Sequence, residues 1–315
     1  MIEVTAPSNI ALIKYMGKQD ADLRLPTNPS LSMTLDSLST TVKLWPHETF
    51  QMAYGEQRAH KHYVRIQQDA RRLLADYSMA CRIPPGCALE VQSTFPASAG
   101  IASSASSFAA MTTAFLKYWS QDDAQFLTAW ELPQFKERIA QLARLGSGSA
   151  CRSFFGPFAS WDGEHVSSVS TQLELIHCVV LIHTEEKKVS SAEAHTRIHS
   201  SPLWHGRPDR ARARFDTSLK ALMQNDFPTL IHEAWQDFWD MHSLFHTADP
   251  WWTYFEPGTI QLLKTLFGCG FLVTLDAGPN IHIIALRQDT EKLQALLHPH
   301  KVLWDKPSSG VRFGL

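Results

Sequence analysis

A turn rich in glycine, alanine and serine is the feature of the sequence that most suggests chemistry. It covers residues 96–107, between a strand-like segment, Ala88–Val91, and a predicted helix with an apolar face. Such a turn offers unpaired backbone N–H groups and the positive end of a helix dipole, which together bind phosphate. A tight turn with close helix packing would use the same small residues, so the turn by itself supports both interpretations equally.

Positive side chains that could neutralise a phosphate must come from elsewhere, because no lysine follows this turn as in the common nucleotide-binding loop. Lys14 and Lys18 lie in an otherwise apolar and small-residue segment, where simple solvation is a weaker explanation than usual. A second small-residue turn, 146–153, contains Arg152, whose planar guanidinium suits a carboxylate or a phosphate. An exposed arginine in a linker is the alternative interpretation there.

Two further side chains admit a chemical and a structural interpretation. Asp276 ends an apolar strand just before a Gly-Pro turn, which would place a carboxylate at the edge of a cleft. Aspartate is also a common initiator of such turns, and the residues by themselves favour that explanation. Cys151, next to Arg152, could be an activated nucleophile or a small packing residue.

The composition is that of an ordinary globular protein and excludes several classes. The 315 residues are 44% hydrophobic and 19% charged with a net charge of −2, which gives no electrostatic argument for nucleic acid or an anionic membrane. No stretch has membrane-spanning length, and residues 1–5 do not resemble a signal peptide. Five cysteines without a Cys-x-x-Cys pair favour a reducing cytoplasm, and Gln236 stands where a zinc motif beginning at His232 would need a histidine.

The predicted elements interleave without strict alternation, which favours an α+β fold in two lobes over a doubly wound sheet. A polar, histidine-rich stretch near 185–210 marks the boundary, so the predicted lobes are residues 1–185 and 186–315. The predicted strands are Thr41–Trp45, Ala88–Val91, Cys178–His183, 271–275 and 281–286. The predicted helices are 64–80, 103–119, 132–145, 209–225, 228–246, 257–268 and 289–297.

Several segments together carry a resemblance to a known family over nearly the whole chain. They are Ala6–Lys18, Leu25–Ser32, Phe95–Ser104, Ala143–Ser153, Lys188–Ser191, the helix entry at Asp226-Phe227, and Thr274–Asn280. In order and spacing the chain resembles the GHMP small-molecule kinases and, within them, the diphosphomevalonate decarboxylase branch. The resemblance implies a two-lobed α+β fold with the active site in a deep cleft between the lobes and a nucleotide phosphate loop in the N-terminal lobe.

The resemblance also implies an activity: ATP-dependent decarboxylation of mevalonate 5-diphosphate to isopentenyl diphosphate, CO2, ADP and phosphate. The residues that match catalytic positions are Asp276, Arg152 and Lys18. Those that match substrate-binding positions are Tyr15, Lys14, Ser147, Gly148, Ser149 and either Ser190 or Ser191. Those that match the ATP-binding loop are Pro96, Ser98, Ala99, Gly100, Ala102, Ser103 and Ser104. The implied cofactors are ATP and Mg²⁺, the metal being carried by ATP with Ser103 as the protein group that could reach it, and the implied assembly is a cytoplasmic homodimer.

Four departures from the family pattern bear on substrate and nucleotide affinity. Pro29 stands where serine is usual and Met16 where tryptophan is usual, while Gln92–Thr94 and the helix around Trp235–His242 also differ. No catalytic group is lost by these departures, so the reaction class is less affected than the substrate. The sequence leaves open a relative that acts on mevalonate 5-phosphate or mevalonate, as a decarboxylase or a 3-kinase, and a non-catalytic binding relative.

Overall fold

The computed structural model describes residues 1–95, 103–183 and 188–314. In these residues the helices are α1 (Glu56–Arg65), α2 (Gln67–Asp76), α3 (Ser103–Trp119), α4 (Asp123–Trp130), α5 (Pro133–Gly146), α6 (Ser191–Arg197), α7 (Arg207–Met223), α8 (Phe227–Thr247), α9 (Pro257–Leu266) and α10 (Thr290–Leu297). The strands are β1 (Ile2–Ile13), β2 (Lys18–Asp20), β3 (Leu25–Pro26), β4 (Ser30–Pro46), β5 (Gln51–Met52), β6 (Cys87–Ser93), β7 (Phe158–Asp162), β8 (His165–Val169), β9 (Leu175–Val180), β10 (Leu272–Thr274), β11 (Ile281–Leu286), β12 (Val302–Asp305) and β13 (Arg312–Phe313). Short 3₁₀ helices cover Gly148–Phe154, Ile198–Ser200 and Arg287–Asp289.

The larger sheet has seven strands and is built around the long β1–β4 antiparallel pair. β4 also pairs with β6 through its second half and with β7 through its first, and β13 adds to the free edge of β1. The β1–β4 register shifts beyond Pro7 and again beyond Ala11, where the chain approaches Lys14. Two register irregularities in one strand pair bend it, so the end of β1 is turned away from a regular ladder.

The second sheet has four antiparallel strands in the order β10-β11-β9-β12. Thr274 Oγ1, at the end of β10, donates to the carbonyl of Ala11 over 2.9 Å, which joins this sheet to the end of β1. Asp305, at the end of β12, accepts from the backbone N–H groups of 36–38, at the bend of β4. The two sheets are therefore fixed to each other by buried polar contacts as well as by an apolar layer between them.

Helix ends follow local sequence signals that the chain supplies. Pro133, Pro228 and Pro257 each stand in the first turn of a helix, where a missing N–H costs nothing. The Asp226 carboxylate caps α8 by accepting from the N–H of Thr229 over 3.1 Å. In α3, alanine and serine allow the helix to pack closely on the larger sheet, and Ser106 hydrogen-bonds Thr40 of β4 at 2.7 Å.

The α+β class predicted from the sequence is confirmed, and most predicted elements are found within a few residues. The helix predicted over 64–80 corresponds to the shorter α2, Gln67–Asp76, and α1, which ends just before Ile66, was not predicted. The strand predicted at Cys178–His183 begins and ends three residues earlier. It joins the second sheet although it precedes the predicted boundary at residue 185, so the division into lobes there stays a prediction.

Within the described ranges of the chain, no helix is both long and apolar enough to cross a membrane.

Three buried histidines are neutral in the folded protein. Burial lowers the pKa of His62 and of His242 to about 3 and that of His177 to about 4. His62 Nε2 lies 2.8 Å from Thr112 Oγ1, whose own proton goes to the carbonyl of Phe108, so the imidazole donates from Nε2. An added proton on Nδ1 would be buried without an acceptor among the described residues.

These histidines make the fold sensitive to acid. Below pH 6.5 the unfolded chain binds protons that the folded chain does not, so each buried histidine lowers the free energy of unfolding by about 1.4 kcal/mol per pH unit until its folded pKa is reached. We expect urea unfolding to show a lower free energy of unfolding at pH 5 than at pH 7.5. In a His62→Gln variant, the free energy of unfolding should depend less steeply on pH. An equally steep dependence in that variant would contradict the assignment.

Candidate active site

A cavity of about 510 Å³ lies where the end of β1, the start of α3 and the turn after β10 meet. All the described residues that the sequence assigned to the site line this one cavity. They are Lys14, Tyr15, Lys18, Ser103, Ser104, Ser147, Gly148, Ser149, Arg152, Ser190, Ser191 and Asp276. The other residues of the predicted ATP loop, Pro96, Ser98, Ala99, Gly100 and Ala102, lie outside the described residues.

A short ion pair lies in the wall of this cavity. Lys14 Nζ lies 2.6 Å from Asp276 Oδ1, and the lysine is 2% exposed whereas the aspartate is 26% exposed. Burial lowers the pKa of Lys14, and the negative charge of Asp276 opposes that shift. The lysine thus fixes one carboxylate oxygen, while Oδ2 has no hydrogen-bond partner among the described residues and remains for a ligand.

The backbone of Lys14 is held from both sides by buried polar groups. Its N–H donates to Asp237 Oδ2 over 2.7 Å, and its carbonyl accepts from Asn28 Nδ2 over 2.9 Å. Arg207, which is fully buried, donates to Asp237 Oδ1 over 2.7 Å and to the Lys14 carbonyl over 3.3 Å. Asp240 accepts a further bond from Arg207 over 2.9 Å. A buried charge cluster on α7 and α8 therefore positions the lysine that holds Asp276.

Arg152 is a second cavity-lining cation that is fixed by buried polar groups. Its Nε donates to Asn9 Oδ1 over 3.1 Å and its Nη1 donates to Ser30 Oγ over 2.8 Å, while the guanidinium lies 5.7 Å from the centre of the Trp161 ring. Nη2 has no partner among the described residues. Asp276 and Lys14 are both within electrostatic range of Arg152. The arrangement leaves one guanidinium nitrogen for an anionic ligand close to the ion pair.

The small residues of the turn after α5 allow side chains to approach closely. Ser147 Oγ lies 3.0 Å from Ser104 Oγ, so this turn touches the first turn of α3. A Cβ on Gly148 would lie 2.8 Å from the Tyr15 ring, which makes glycine necessary for the observed position of that ring. The Tyr15 hydroxyl is buried without a partner among the described residues, and burial raises its pKa.

His195 packs against the Tyr15 ring, with the ring centres 4.5 Å apart. Its Nδ1 accepts from the N–H of Gly17 over 2.9 Å, so the neutral ring carries its proton on Nε2. Burial, followed by the charges of Lys18 and Arg24, lowers the pKa of His195 to about 3. The imidazole is therefore a neutral donor at the cavity wall.

Ser190 and Ser191, which sequence reasoning could not separate, differ in the structure. Ser190 Oγ caps α6 by accepting from the N–H of Glu193 over 3.1 Å. Ser191 is the first residue of that helix and also lines the cavity, and its hydroxyl has no partner among the described residues.

The sequence interpretation missed three charged or titratable lining residues that belong to no motif: Arg24, Arg58 and His195. Arg58 comes from α1 and donates from Nη2 to the carbonyl of Gly146 over 3.2 Å. The proximity of Arg24 to the matched Leu25–Ser32 segment was the one available signal for it.

The interpretation of Cys151 as an activated nucleophile is wrong. Cys151 is 1% exposed, and its Sγ donates to the carbonyl of Gly148 over 3.2 Å. Burial raises the pKa of this thiol to about 12, so the nucleophilic thiolate is not available at neutral pH.

Comparison with protein families matches nearly the whole chain. The diphosphomevalonate decarboxylase-like N-terminal domain matches residues 6–172, and the mevalonate 5-diphosphate decarboxylase C-terminal domain matches residues 177–306. The diphosphomevalonate decarboxylase of Candida albicans is 31% identical over 94% of this chain and 87% of its own length.

Solved structures give the same result. A mevalonate diphosphate decarboxylase from Legionella pneumophila has a TM-score of 0.78 and 34% identity, covering 96% of this chain and 99% of the other. The protein MDDEF, in complex with MVAPP, AMPPCP and magnesium, has a TM-score of 0.82 and 27% identity, covering 99% of this chain and 98% of its own.

The buried charge cluster should contribute strongly to stability. In Asp237→Asn, fully buried Arg207 loses a charged partner, and we expect the free energy of unfolding to fall by about 3 kcal/mol. Asp162→Asn is the matched control, because Asp162 also binds an arginine, Arg212, but at an exposed position. In Asp162→Asn we expect the free energy of unfolding to fall by less than about 1 kcal/mol. If urea titrations give equal losses for the two variants, the buried cluster stabilises the fold no more than an exposed ion pair does, and the prediction is wrong.

Proposed function

This chain belongs to the diphosphomevalonate decarboxylase family, and we propose that the cavity around Asp276 converts mevalonate 5-diphosphate to isopentenyl diphosphate, CO2, ADP and phosphate. The observation that supports this site most directly is the Lys14–Asp276 ion pair facing Arg152 in one cavity. A carboxylate for a hydroxyl proton and a guanidinium for a carboxylate are the two groups that this reaction needs close together.

The first step is phosphoryl transfer from ATP to the tertiary hydroxyl of the substrate. The hydroxyl oxygen attacks the γ-phosphorus, ADP leaves, and Asp276 Oδ2 accepts the hydroxyl proton. Lys14, fixed at Oδ1, keeps the carboxylate oriented toward the cavity. Most of the catalysis in such a transfer comes from positioning and charge neutralisation.

The second step is loss of phosphate and CO2. The carbon–oxygen bond to the new phosphate breaks, and its electron pair leaves with the phosphate. The electron pair of the carbon–carbon bond to the carboxylate then forms the alkene as CO2 departs. Arg152 Nη2 would hold the carboxylate, while Nε and Nη1 are fixed by Asn9 and Ser30. A guanidinium held in this way limits the orientations from which the carboxylate can leave.

ATP and Mg²⁺ are the cofactors of the reaction. The described lining residues fit a polyphosphate: Lys18, Arg24 and Arg58 contribute positive charge, Ser103 and Ser104 open α3, and Asp276 is the one carboxylate among them. With so few protein ligands, this site fits Mg²⁺ that is carried by ATP, and Ser103 is the protein group that would reach the ion. When bound, the ion would neutralise negative charge on the phosphates. Of the two serines at α6, we assign substrate contact to Ser191, because Ser190 already caps the helix.

The proposed assembly is a cytoplasmic homodimer. In each subunit the two lobes would enclose the cleft. The support for this assembly is the family resemblance and the five cysteines, all of which are free thiols. Size-exclusion chromatography with light scattering should give twice the monomer mass of 35.5 kDa. A monomer at micromolar concentration would rule out the dimer without affecting the assignment of the reaction.

The function is tested by measuring ADP and CO2 together with mevalonate, its 5-phosphate and its 5-diphosphate. We expect equal amounts of ADP and CO2 from the diphosphate. ADP without CO2 would identify a kinase instead, and no turnover with any of the three would indicate a binding protein.

Asp276→Asn should remove the proton acceptor with little change in shape. We expect kcat to fall roughly a thousandfold, or about 4 kcal/mol, with a much smaller change in substrate Kd. Glu164→Gln, at an exposed turn remote from the cavity lining, is the control and should keep full activity. Near-normal turnover by Asp276→Asn would refute the catalytic assignment.

A further inference from the structure

Arg24 is a cavity-lining arginine that no motif explains. It lies in the turn between β2 and β3, and it lines the same cavity as Lys18 and Arg58. Among the described residues, neither Arg24 nor Lys18 has a carboxylate within ion-pair distance or a hydrogen-bond acceptor. Three cations thus converge on one part of the cavity without an acidic side chain to balance them.

The turn that carries Arg24 is fixed by other side chains. The Leu23 N–H donates to Asp20 Oδ1 over 2.7 Å, and the Leu23 carbonyl accepts from Arg144 Nε over 3.0 Å. Arg65 donates to the carbonyl of Asp22. These contacts fix the backbone of the two residues just before Arg24, so the position from which its side chain enters the cavity is set by the fold.

The backbone of Arg24 is in an unfavourable conformation for an arginine. Its φ is +52°, in the left-handed region that glycine and asparagine adopt most readily. Such conformations concentrate at functional sites, where the side chain is worth more than the strain that it causes. An arginine at this position is therefore unfavourable in two ways: its backbone is strained, and its charge has no acidic partner among the described residues.

The neighbours of Arg24 identify the side of the cavity that it serves. Burial lowers the pKa values of Arg24, Lys18 and Arg58, and the charge of Arg24 lowers those of Lys18 and Arg58 further, so a bound anion would offset their repulsion. Arg24 is within electrostatic range of His195 and of Tyr15, which the family resemblance assigns to the substrate. The same resemblance assigns the nucleotide to Ser103 and Ser104, at the start of α3.

We propose that Arg24 is a specificity-determining residue that binds the terminal phosphate of the substrate together with Lys18, so that the cleft selects a diphosphate over a monophosphate. This inference rests on the proposed function, because it takes the substrate to be a phosphorylated mevalonate. Two guanidinium nitrogens of Arg24 suit a terminal phosphate, which has more free oxygens and more charge than a bridging one.

The test is Arg24→Asn, which keeps a residue that tolerates positive φ. We expect Kd for mevalonate 5-diphosphate, measured by calorimetry, to rise at least tenfold while Kd for mevalonate 5-phosphate changes less than twofold. The KM for ATP should stay the same, and Tm should stay the same or rise because the strain is relieved. Arg82→Asn, at an exposed site outside the cavity, is the control and should leave all these values unchanged.

Other outcomes overturn the proposal. An equal loss for both substrates would make Arg24 a general contact, and a higher KM for ATP would place it at the nucleotide. If Arg24→Asn unfolds, Arg24→Gly serves the same purpose, since glycine accepts this φ freely.

Binding of inorganic pyrophosphate and phosphate, measured without ATP, separates this inference from the proposed function. A tenfold weaker binding of pyrophosphate by Arg24→Asn, with phosphate unaffected, supports the role of Arg24 even if the wild-type protein releases no CO2. Equal affinity of both proteins for pyrophosphate overturns the role even if the decarboxylase activity is present.

Discussion

The site depends on one buried lysine that is held at both its backbone and its side chain. Lys14 follows β1, and its Nζ reaches Asp276 after β10 in the other sheet. Burying a lysine is expensive unless its charge is paired, so Asp276 and Lys14 each need the other in place. The Asp237–Arg207 pair on α8 and α7 fixes the backbone of Lys14 and so joins the outer helices to the centre of the cavity.

The same constraint explains why the two sheets meet where they do. Thr274, two residues before Asp276, bonds the carbonyl of Ala11, three residues before Lys14. The polar contact between strand ends thus lies beside the ion pair, and each restricts the other. Apart from this neutralised pair, the cavity lining carries positive charge, since Lys18, Arg24 and Arg58 have no acidic partner among the described residues. A site that combines a paired carboxylate with unpaired cations is suited to moving a proton while holding several phosphates.

The sequence predicted much of this arrangement because local signals were strong. The long amphipathic and alanine-rich segments gave α3 and α5 within one residue, and the family resemblance selected Ser104, Ser147 and Arg152, which line one cavity. Other features depend on contacts between distant residues. Asp237 could not be assigned to Lys14, which is 223 positions away in sequence. The strand β1 has no apolar–polar alternation to predict it, because all of its residues from Ala6 to Ile13 are buried, including a serine and an asparagine. Arg24 belongs to no motif, and only the folded turn shows that it points to the cavity.

The central claim is that Lys14 and Asp276 act as one unit, and a double-mutant cycle on kcat tests it most directly. Lys14→Met, Asp276→Asn and the double variant would be compared with the wild type under saturating substrate and ATP. If Lys14 acts by orienting Asp276, the double variant will be about as slow as Asp276→Asn alone, because the second change removes nothing further. If the fold-losses in kcat of the two single variants instead multiply in the double variant, the residues act independently. The claim that Lys14 works by orienting Asp276 would then be wrong.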